Sequence, residues 1–347
     1  MARPVAFGMF DHVDRNDGPI GVLYEERLRL IEAADRAGFR TYHVAEHHGT
    51  PLGMAPSPGI FLAAVAQRTR RLRFGPLVYI LPLYSPLRLV EEICMLDQMS
   101  GGRFELGVGR GISPYELAYC GVDFLEARDM ADEALAVVLA GLSTDRLTHR
   151  GRHYRYAGVP IELGPVQRPH PPLWQGVNST DGAAGAARRH VTVVSTAPCP
   201  VVEAVVDRYR ETWSGPTGAA PPLIGCQRHV LVADTDAEAL EAARGPYRRW
   251  YESLTHLWRQ FNSVPLRFAE TLEGALAIDA AIVGSPGTVR AEVERHLAIT
   301  GCTYFVGRFV FGDLPAERAT RSLDLFAREV MPHFEHGGRQ SGPREVR

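Results

Sequence analysis

Short β-favouring runs alternate with amphipathic helical runs along almost the whole chain, and few folds accept that pattern. VAFGMF (5–10) predicts a strand. Residues 22–37 carry Leu23, Leu28, Leu30, Ile31 and Ala34 among charges, the spacing of a helix with one apolar face. Gly38 supplies its C-cap. TYHVA (41–45) predicts the next strand, followed by a helix over 58–69 and the strand LRFGPLVYI (72–80). Pro86 opens a helix over 86–99 that stops at Ser100-Gly101-Gly102. A strand over 103–109 and a helix over 127–141 follow. Residues 148–172 interrupt this rhythm with five prolines and the alternation HYRYAGVPIEL, which predicts a β-hairpin insertion. The rhythm resumes with strand 172–177, helix 181–189, strand 191–196, helix 200–213 and strand 226–233. After a long polar and aromatic stretch (234–283) come strand 303–311 and helix 315–335.

Units of roughly 25–35 residues predict βαβ repeats and a parallel sheet. Eight strands and about eight helices predict a single (β/α)8 barrel over residues 1–336, preferred to an open doubly wound sheet. No G-x-G-x-x-G follows the first strand, which weighs against a dinucleotide fold. Residues 337–347 (GGRQSGPREVR) predict a disordered tail.

The 347 residues suffice for a large core. A net charge of −2 with scattered arginines gives no footprint for nucleic acid. The five cysteines are far apart and form no C-x-x-C pair, so reduced thiols in a cytoplasmic protein are expected. The N-terminus has no apolar segment of the secretory type. The longest apolar run, Ile60 to Ala66, is about seven residues, far too short to span a membrane.

Barrels of this kind place their chemistry at the C-terminal ends of the strands. The residues just beyond the predicted strands are Asp11 and His12; Glu46, His47 and His48; Tyr79; Arg110; and Asn178 and Ser179. Two adjacent histidines preceded by a carboxylate suit a general acid/base at a site mouth, although a loop histidine can be merely structural. His43-Val44-Ala45-Glu46-His47 also matches H-x-x-E-H. That motif chelates zinc on a helix, where i and i+4 lie about 6 Å apart. Thr41, Tyr42 and Val44 favour a strand, which separates them by roughly 13 Å, so no metal is expected. Arg110, flanked by glycines in GVGRGISP, can offer its guanidinium to a phosphate or simply occupy a βα loop. Ser179 reads as the N-cap of helix 181–189, and a helix N-terminus at a barrel mouth is also an anion site.

At these residues the chain resembles the bacterial luciferase-like flavin monooxygenases. The resemblance rests on AGFRTYHVAEHHGTP, LRFGPLVYILPLYSPLRLVEEICMLDQMSGGRFELGVGRG, GRHYRYAGVPIELGPVQRPHPPLW and FGDLPAERATRSLDLFAREVMPHF, and runs from about residue 3 to 335. It implies a (β/α)8 barrel that uses reduced FMN and molecular oxygen on a small organic substrate, with a separate flavin reductase as partner. It assigns the active-site histidine to His47 and the phosphate contacts to Arg110, Arg128, Asn178 and Ser179. Luciferase has a carboxylate where Asn178 stands. A non-prolyl cis peptide against the isoalloxazine would fall at Leu77–Val78. Gly109 stands where luciferase has a reactive cysteine, so light emission does not carry over. Relatives on this barrel use a deazaflavin for hydride transfer, and a non-catalytic flavin-binding protein would need the same pocket.

Two further expectations concern motion and assembly. Tyr247, Trp250, Tyr251, Leu254, Leu257, Trp258 and Phe261 share helical spacing, and Asn262 to Pro265 break that helix. Part of 258–283 is therefore expected to close over the site as a lid. Helix 86–99 is apolar at 87, 89, 90, 93, 95 and 96, more than one stripe against a barrel needs. With the family's habit of pairing barrels through early helices, this points to a homodimer.

Overall fold

A computed structural model describes residues 5–215, 221–263 and 268–335. The alternation of sequence becomes a barrel because the strands of the ring are largely buried on both faces and the helices around them on one. The strands are β1 (Ala6–Asp11), β2 (Thr41–Val44), β3 (Arg73–Pro76), β4 (Tyr79–Ile80), β5 (Leu106–Gly109), β6 (Arg146–Arg150), β7 (Arg155–Pro160), β8 (Leu173–Gly176), β9 (Thr192–Ser195), β10 (Ile224–Val232), β11 (Ala281–Gly284) and β12 (Tyr304–Arg308). The helices are α1 (Ile20–Ala37), α2 (Pro58–Arg68), α3 (Pro86–Ser100), α4 (Pro114–Tyr119), α5 (Ala127–Ser143), α6 (Thr180–Arg188), α7 (Cys199–Thr212), α8 (Asp236–Gln260), α9 (Leu272–Ala277), α10 (Pro286–Thr300), α11 (Ala316–Leu325) and α12 (Pro332–Glu335).

Among the described residues the parallel sheet runs β3-β2-β1-β12-β10-β9-β8-β5-β4, nine strands in a nearly closed ring. β3 and β4 are two halves of one predicted run, parted by a cis peptide at Leu77–Val78, so nine strands make eight staves. A bridge between Phe74 and Phe104 helps close the ring between β3 and the chain entering β5. The (β/α)8 expectation holds. β6 and β7 form an antiparallel hairpin outside the ring, and β7 starts and ends among the prolines and glycines that signalled it.

The barrel interior is filled by Phe10, Ala45, Trp174, Val194, Tyr304 and Val306. Gly8 makes room there, because a Cβ at that position would stand 1.7 Å from the Tyr304 hydroxyl. His43 also points inward, its Nε2 3.0 Å from that hydroxyl. Burial, with the charge of Arg40, pushes its pKa down to about 3. The H-x-x-E-H spacing therefore lies on a strand and its end, as Thr41, Tyr42 and Val44 require.

The stretch 234–283 is more regular than its sequence suggests. The amphipathic pattern at 247–261 is the second half of α8, which begins at Asp236 and runs through Pro246. Beyond the Asn262 break lie α9 and then β11, a strand too short to stand out in ALAIDAAIVG. β11 pairs with the second half of β10, from His229↔Ala281 to Val232↔Gly284, while the first half of β10 pairs with β9 and β12. Residues 264–267 of the expected lid, and the tail 337–347, lie outside the described residues. The predicted helix 315–335 is α11, a wider turn at Phe326–Val330, and α12. Among the described residues no helix is long and apolar enough to cross a membrane.

Candidate active site

The C-terminal ends of the strands surround a cavity of about 990 Å³. His47, Leu77, Val78, Arg110, Arg128, Asn178 and Ser179 all line it, so residues far apart in sequence meet in one place. Volumes of this order are typical of sites that enclose a cofactor or an organic ligand.

One end is cationic. Arg110 leaves β5 with its guanidinium 5.2 Å from the Phe124 ring, and Arg128 sits in the first turn of α5. Among the described residues neither meets a carboxylate at ion-pair distance, so both charges stay available to a ligand. Ser179 caps α6, its hydroxyl accepting from the Gly182 N–H at 3.2 Å. Asp181 and Gly182 of the α6 first turn line the same cavity, and a helix N-terminus favours an anion. Asn178 is already engaged: its Oδ1 accepts from Ser195 Oγ at 2.8 Å and Thr196 N at 3.0 Å, and its Nδ2 donates to Thr196 Oγ1. These bonds tie the β8 loop to the β9 loop, and Asn178 still lines the cavity. Arg189 also lines this end and donates to Gln175, a contribution the sequence did not single out.

The middle wall is apolar, formed by Leu77, Val78, Val108 and Val194. Gly109 is required here, since a Cβ would lie 2.5 Å from Val78 Cγ2. A cysteine could not replace it without moving that wall.

The opposite end holds ionisable and aromatic groups. His47 is 12% exposed, and its Nδ1 faces Glu116 Oε1 at 3.2 Å. An ionised carboxylate only accepts, so Nδ1 carries the proton and Nε2 is left for the cavity. The other Glu116 oxygen accepts from the His48 N–H, which fixes the loop as well as the ring. Glu46 braces the same loop, with Oε2 accepting from Ile80 N at 2.9 Å and Oε1 2.8 Å from His48 Nε2. The bond to Glu46 raises the His48 pKa. The ring of His12 lies 5.3 Å from that of His47, and His12 Nδ1 accepts from Trp250 Nε1 at 3.2 Å. Burial lowers the His12 pKa, with help from the charges of Arg308, His47 and His229. On β12, Arg308 donates to His229 Nε2 at 2.7 Å and lies over the rings of Phe10 and Trp250.

Sequence reasoning missed Glu116, His229, Trp250 and Arg308 as site residues. Ser113 and Glu116 have the S-x-x-E spacing of a capping box. Ser113 does cap α4, but the Glu116 side chain turns to the histidines instead. The detectable signal for Arg308 was a lone arginine inside the apolar run TYFVGRFVF.

Behind the stretch of cavity wall that includes Pro198, Arg228, Ile278 and Ala280, Cys199, Asp279 and His296 bring ligand-type atoms within 4.8 Å of one another. Arg228 donates to His296 Nδ1 and approaches Cys199 Sγ at 3.5 Å, and Arg295 pairs with Asp279. The guanidiniums stand where a cation would have to be, so this cluster is a buried ion network.

Comparison with known proteins agrees with this architecture. The family model described as luciferase-like monooxygenase matches residues 6–303. The uncharacterised protein y4wF of Sinorhizobium fredii is 37% identical over 331 residues, covering 94% of this chain and 96% of its own. The oxygenase component of the flavin-dependent trigonelline monooxygenase of Acinetobacter baylyi is 27% identical, covering 94% and 95%. The crystal structure of monooxygenase RslO1 from Streptomyces bottropensis superposes with a TM-score of 0.85 at 26% identity, covering 95% and 99%. The oxygenating constituent of 3,6-diketocamphane monooxygenase from Pseudomonas putida, in complex with FMN, superposes at 0.80 with 22% identity, covering 95% and 98%, a likeness of fold. The chain belongs to the luciferase-like monooxygenase family. It is an oxidoreductase of the monooxygenase class.

Proposed function

We propose that the chain is the oxygenase of a two-component system, taking reduced FMN from a separate flavin reductase and inserting one atom of molecular oxygen into a small organic substrate. The observation that carries this is the polarity of one cavity: Arg110 and Arg128, without a carboxylate partner among the described residues, and the capped N-terminus of α6 at one end, His47 and His12 at the other. That donor set fits a phosphate-bearing ring cofactor, since guanidiniums and helix N–H groups favour a phosphate and the apolar wall suits a flat ring. When bound, reduced FMN would supply the two electrons that let one oxygen atom enter the substrate while the other leaves as water.

In this reading Arg110 and Arg128 neutralise the phosphate, and Ser179 keeps the α6 N-terminus presented to it. Asn178 acts through the loops it ties together. Leu77 and Val78 form the wall against which a ring rests. His47, oriented by Glu116, holds or moves a proton at Nε2. Trp250, Tyr247 and Phe268 line the same cavity and exclude water. Part of 258–283 closes over the opening, a reading supported at its start, where Trp258 and Phe261 meet Tyr115 of α4, with Phe261 stacked at 4.3 Å. The protein works in the cytoplasm with its thiols reduced, as its five cysteines are unpaired. It pairs as a homodimer through α2 and α3, which expose Ile60, Met95 and Met99.

The test is oxygen consumption and product analysis with a flavin reductase, NADH and FMN, over a panel of small organic substrates. Substrate-dependent oxygen uptake with an oxygenated product supports the proposal. Uptake that no substrate alters would favour a flavin-sequestering protein. Turnover with a reduced deazaflavin and no oxygen requirement would favour hydride transfer.

A further inference from the structure

We infer that Arg308 anchors an anionic group of the organic substrate, so that the site selects carboxylates or comparable oxyanions. The inference deepens the monooxygenase reading and rests on it for the identity of the cavity's other occupant.

Arg308 is only 4% exposed, at the C-terminal end of β12, and it lines the cavity. Nη1 donates to His229, while Nε has no hydrogen-bond partner among the described residues. The acids nearest in charge terms are Asp14 and Asp11, and neither pairs with it at ion-pair distance. Asp11 is committed to Arg27 at 3.3 Å, to the Val13 N–H and to the Tyr42 hydroxyl. Asp14 is itself fully buried, neither side-chain oxygen has a hydrogen-bond partner among the described residues, and burial raises its pKa to about 7. Near neutral pH it therefore offsets only part of the guanidinium charge. A buried cation without a contact anion is unfavourable unless a ligand supplies the counter-charge.

The flavin phosphate, placed at Arg110 and the α6 N-terminus in the monooxygenase reading, is not the expected counter-charge. Around the barrel, β10, β9 and β8 separate β12 from β5, the strand that presents Arg110. What surrounds Arg308 instead is aromatic. Its guanidinium carbon lies 4.9 Å from the Phe10 ring centre and 5.0 Å from that of Trp250. The rings hold the plane of the fork and keep water away, which strengthens a charge-assisted bond to a ligand. His12 and His47 sit on the same side of the cavity, so a substrate held at Arg308 lies beside the proton-handling groups.

Calorimetric titration of the purified protein with benzoate and with benzamide, a neutral isostere, tests the inference. Benzoate is expected to bind at least ~10-fold more tightly. Arg308→Gln should abolish that preference, Arg308→Lys should keep part of it, and Arg110→Ala should leave it intact. The affinity of Arg308→Gln for reduced FMN should stay within about threefold of wild type. Equal binding of the two probes would overturn the inference. So would a preference that survives in Arg308→Gln or disappears in Arg110→Ala. A loss of FMN affinity in Arg308→Gln equal to its loss of benzoate affinity would assign Arg308 to the cofactor and overturn it too. If the wild type binds no flavin yet keeps an Arg308-dependent benzoate preference, the flavin reading falls while the anion site stands. Should Arg308→Gln not fold, the wild-type preference and its retention in Arg308→Lys decide.

Discussion

Asp14→Asn should stabilise the protein more at pH 8 than at pH 5. Asp14 is fully buried, and neither carboxylate oxygen has a hydrogen-bond partner among the described residues. Burial raises its pKa from 3.8 to about 7; the charges of Arg308 and Arg27 oppose the rise, and that of Asp11 adds to it. Between about pH 4 and pH 7 the folded state holds this proton more tightly than the unfolded chain does. Stability contributed by the neutral acid is therefore present in full below the unfolded pKa and is lost as pH rises through 7. Three units at 1.36 kcal/mol each make the total loss about 4 kcal/mol, of which about 2–3 kcal/mol falls between pH 5 and pH 8. Asparagine keeps the shape and cannot ionise. Urea unfolding of both proteins at the two pH values measures the difference, because other titrating groups cancel between them. The mutant's advantage should grow by about 2–3 kcal/mol from pH 5 to pH 8. An advantage that is the same at both would refute the claim that Asp14 ionises at a buried, unbonded position.

Three further outcomes are expected. His47→Ala should lower product formation by about 10²–10⁴-fold with little change in FMN affinity, and Glu116→Gln should lower it less, through loss of ring orientation. Full coupling of oxygen to product in either would remove the proton-handling role. Limited proteolysis should cut within 258–283 first in the free protein, with reduced FMN giving protection; equal cutting with and without ligand would reject a lid. Light scattering should show a dimer at micromolar concentration that Met95→Glu disperses, and a monomeric wild type would reject pairing through α3.

The barrel was legible because its burial pattern is repetitive: each strand is a short apolar run, and each helix carries one apolar face. Glu46, His47 and Arg110 were legible for a related reason, as polar residues just past such runs stand at the rim. The cis peptide at Leu77–Val78 carries no local signal, and only the family resemblance located it. Glu116 was hidden because its spacing from Ser113 satisfies a helix cap, and sequence does not say that the side chain turns to His47 instead. β11 was absorbed into the lid expectation because AIVG is four residues long and gains its identity only by pairing with β10. His229 and Arg308 lie inside runs that read as core strands, and their partnership joins residues 79 positions apart. Alternation places Gln227 and His229 on one face of β10, but a sequence does not state which faces converge.

The central claim is that the cavity binds reduced FMN with its phosphate at Arg110 and the N-terminus of α6. Charge-assisted hydrogen bonds contribute about 1.5–3 kcal/mol, so losing Arg110 should weaken a phosphate-bearing ligand roughly 10- to 150-fold. Riboflavin has the same ring and no phosphate. Anaerobic titration of wild type and Arg110→Ala with reduced FMN and with reduced riboflavin therefore isolates the phosphate contact. The account predicts a roughly 10- to 150-fold loss for FMN in Arg110→Ala and no more than about a twofold change for riboflavin. Unchanged FMN affinity, or an equal loss for both flavins, would contradict it.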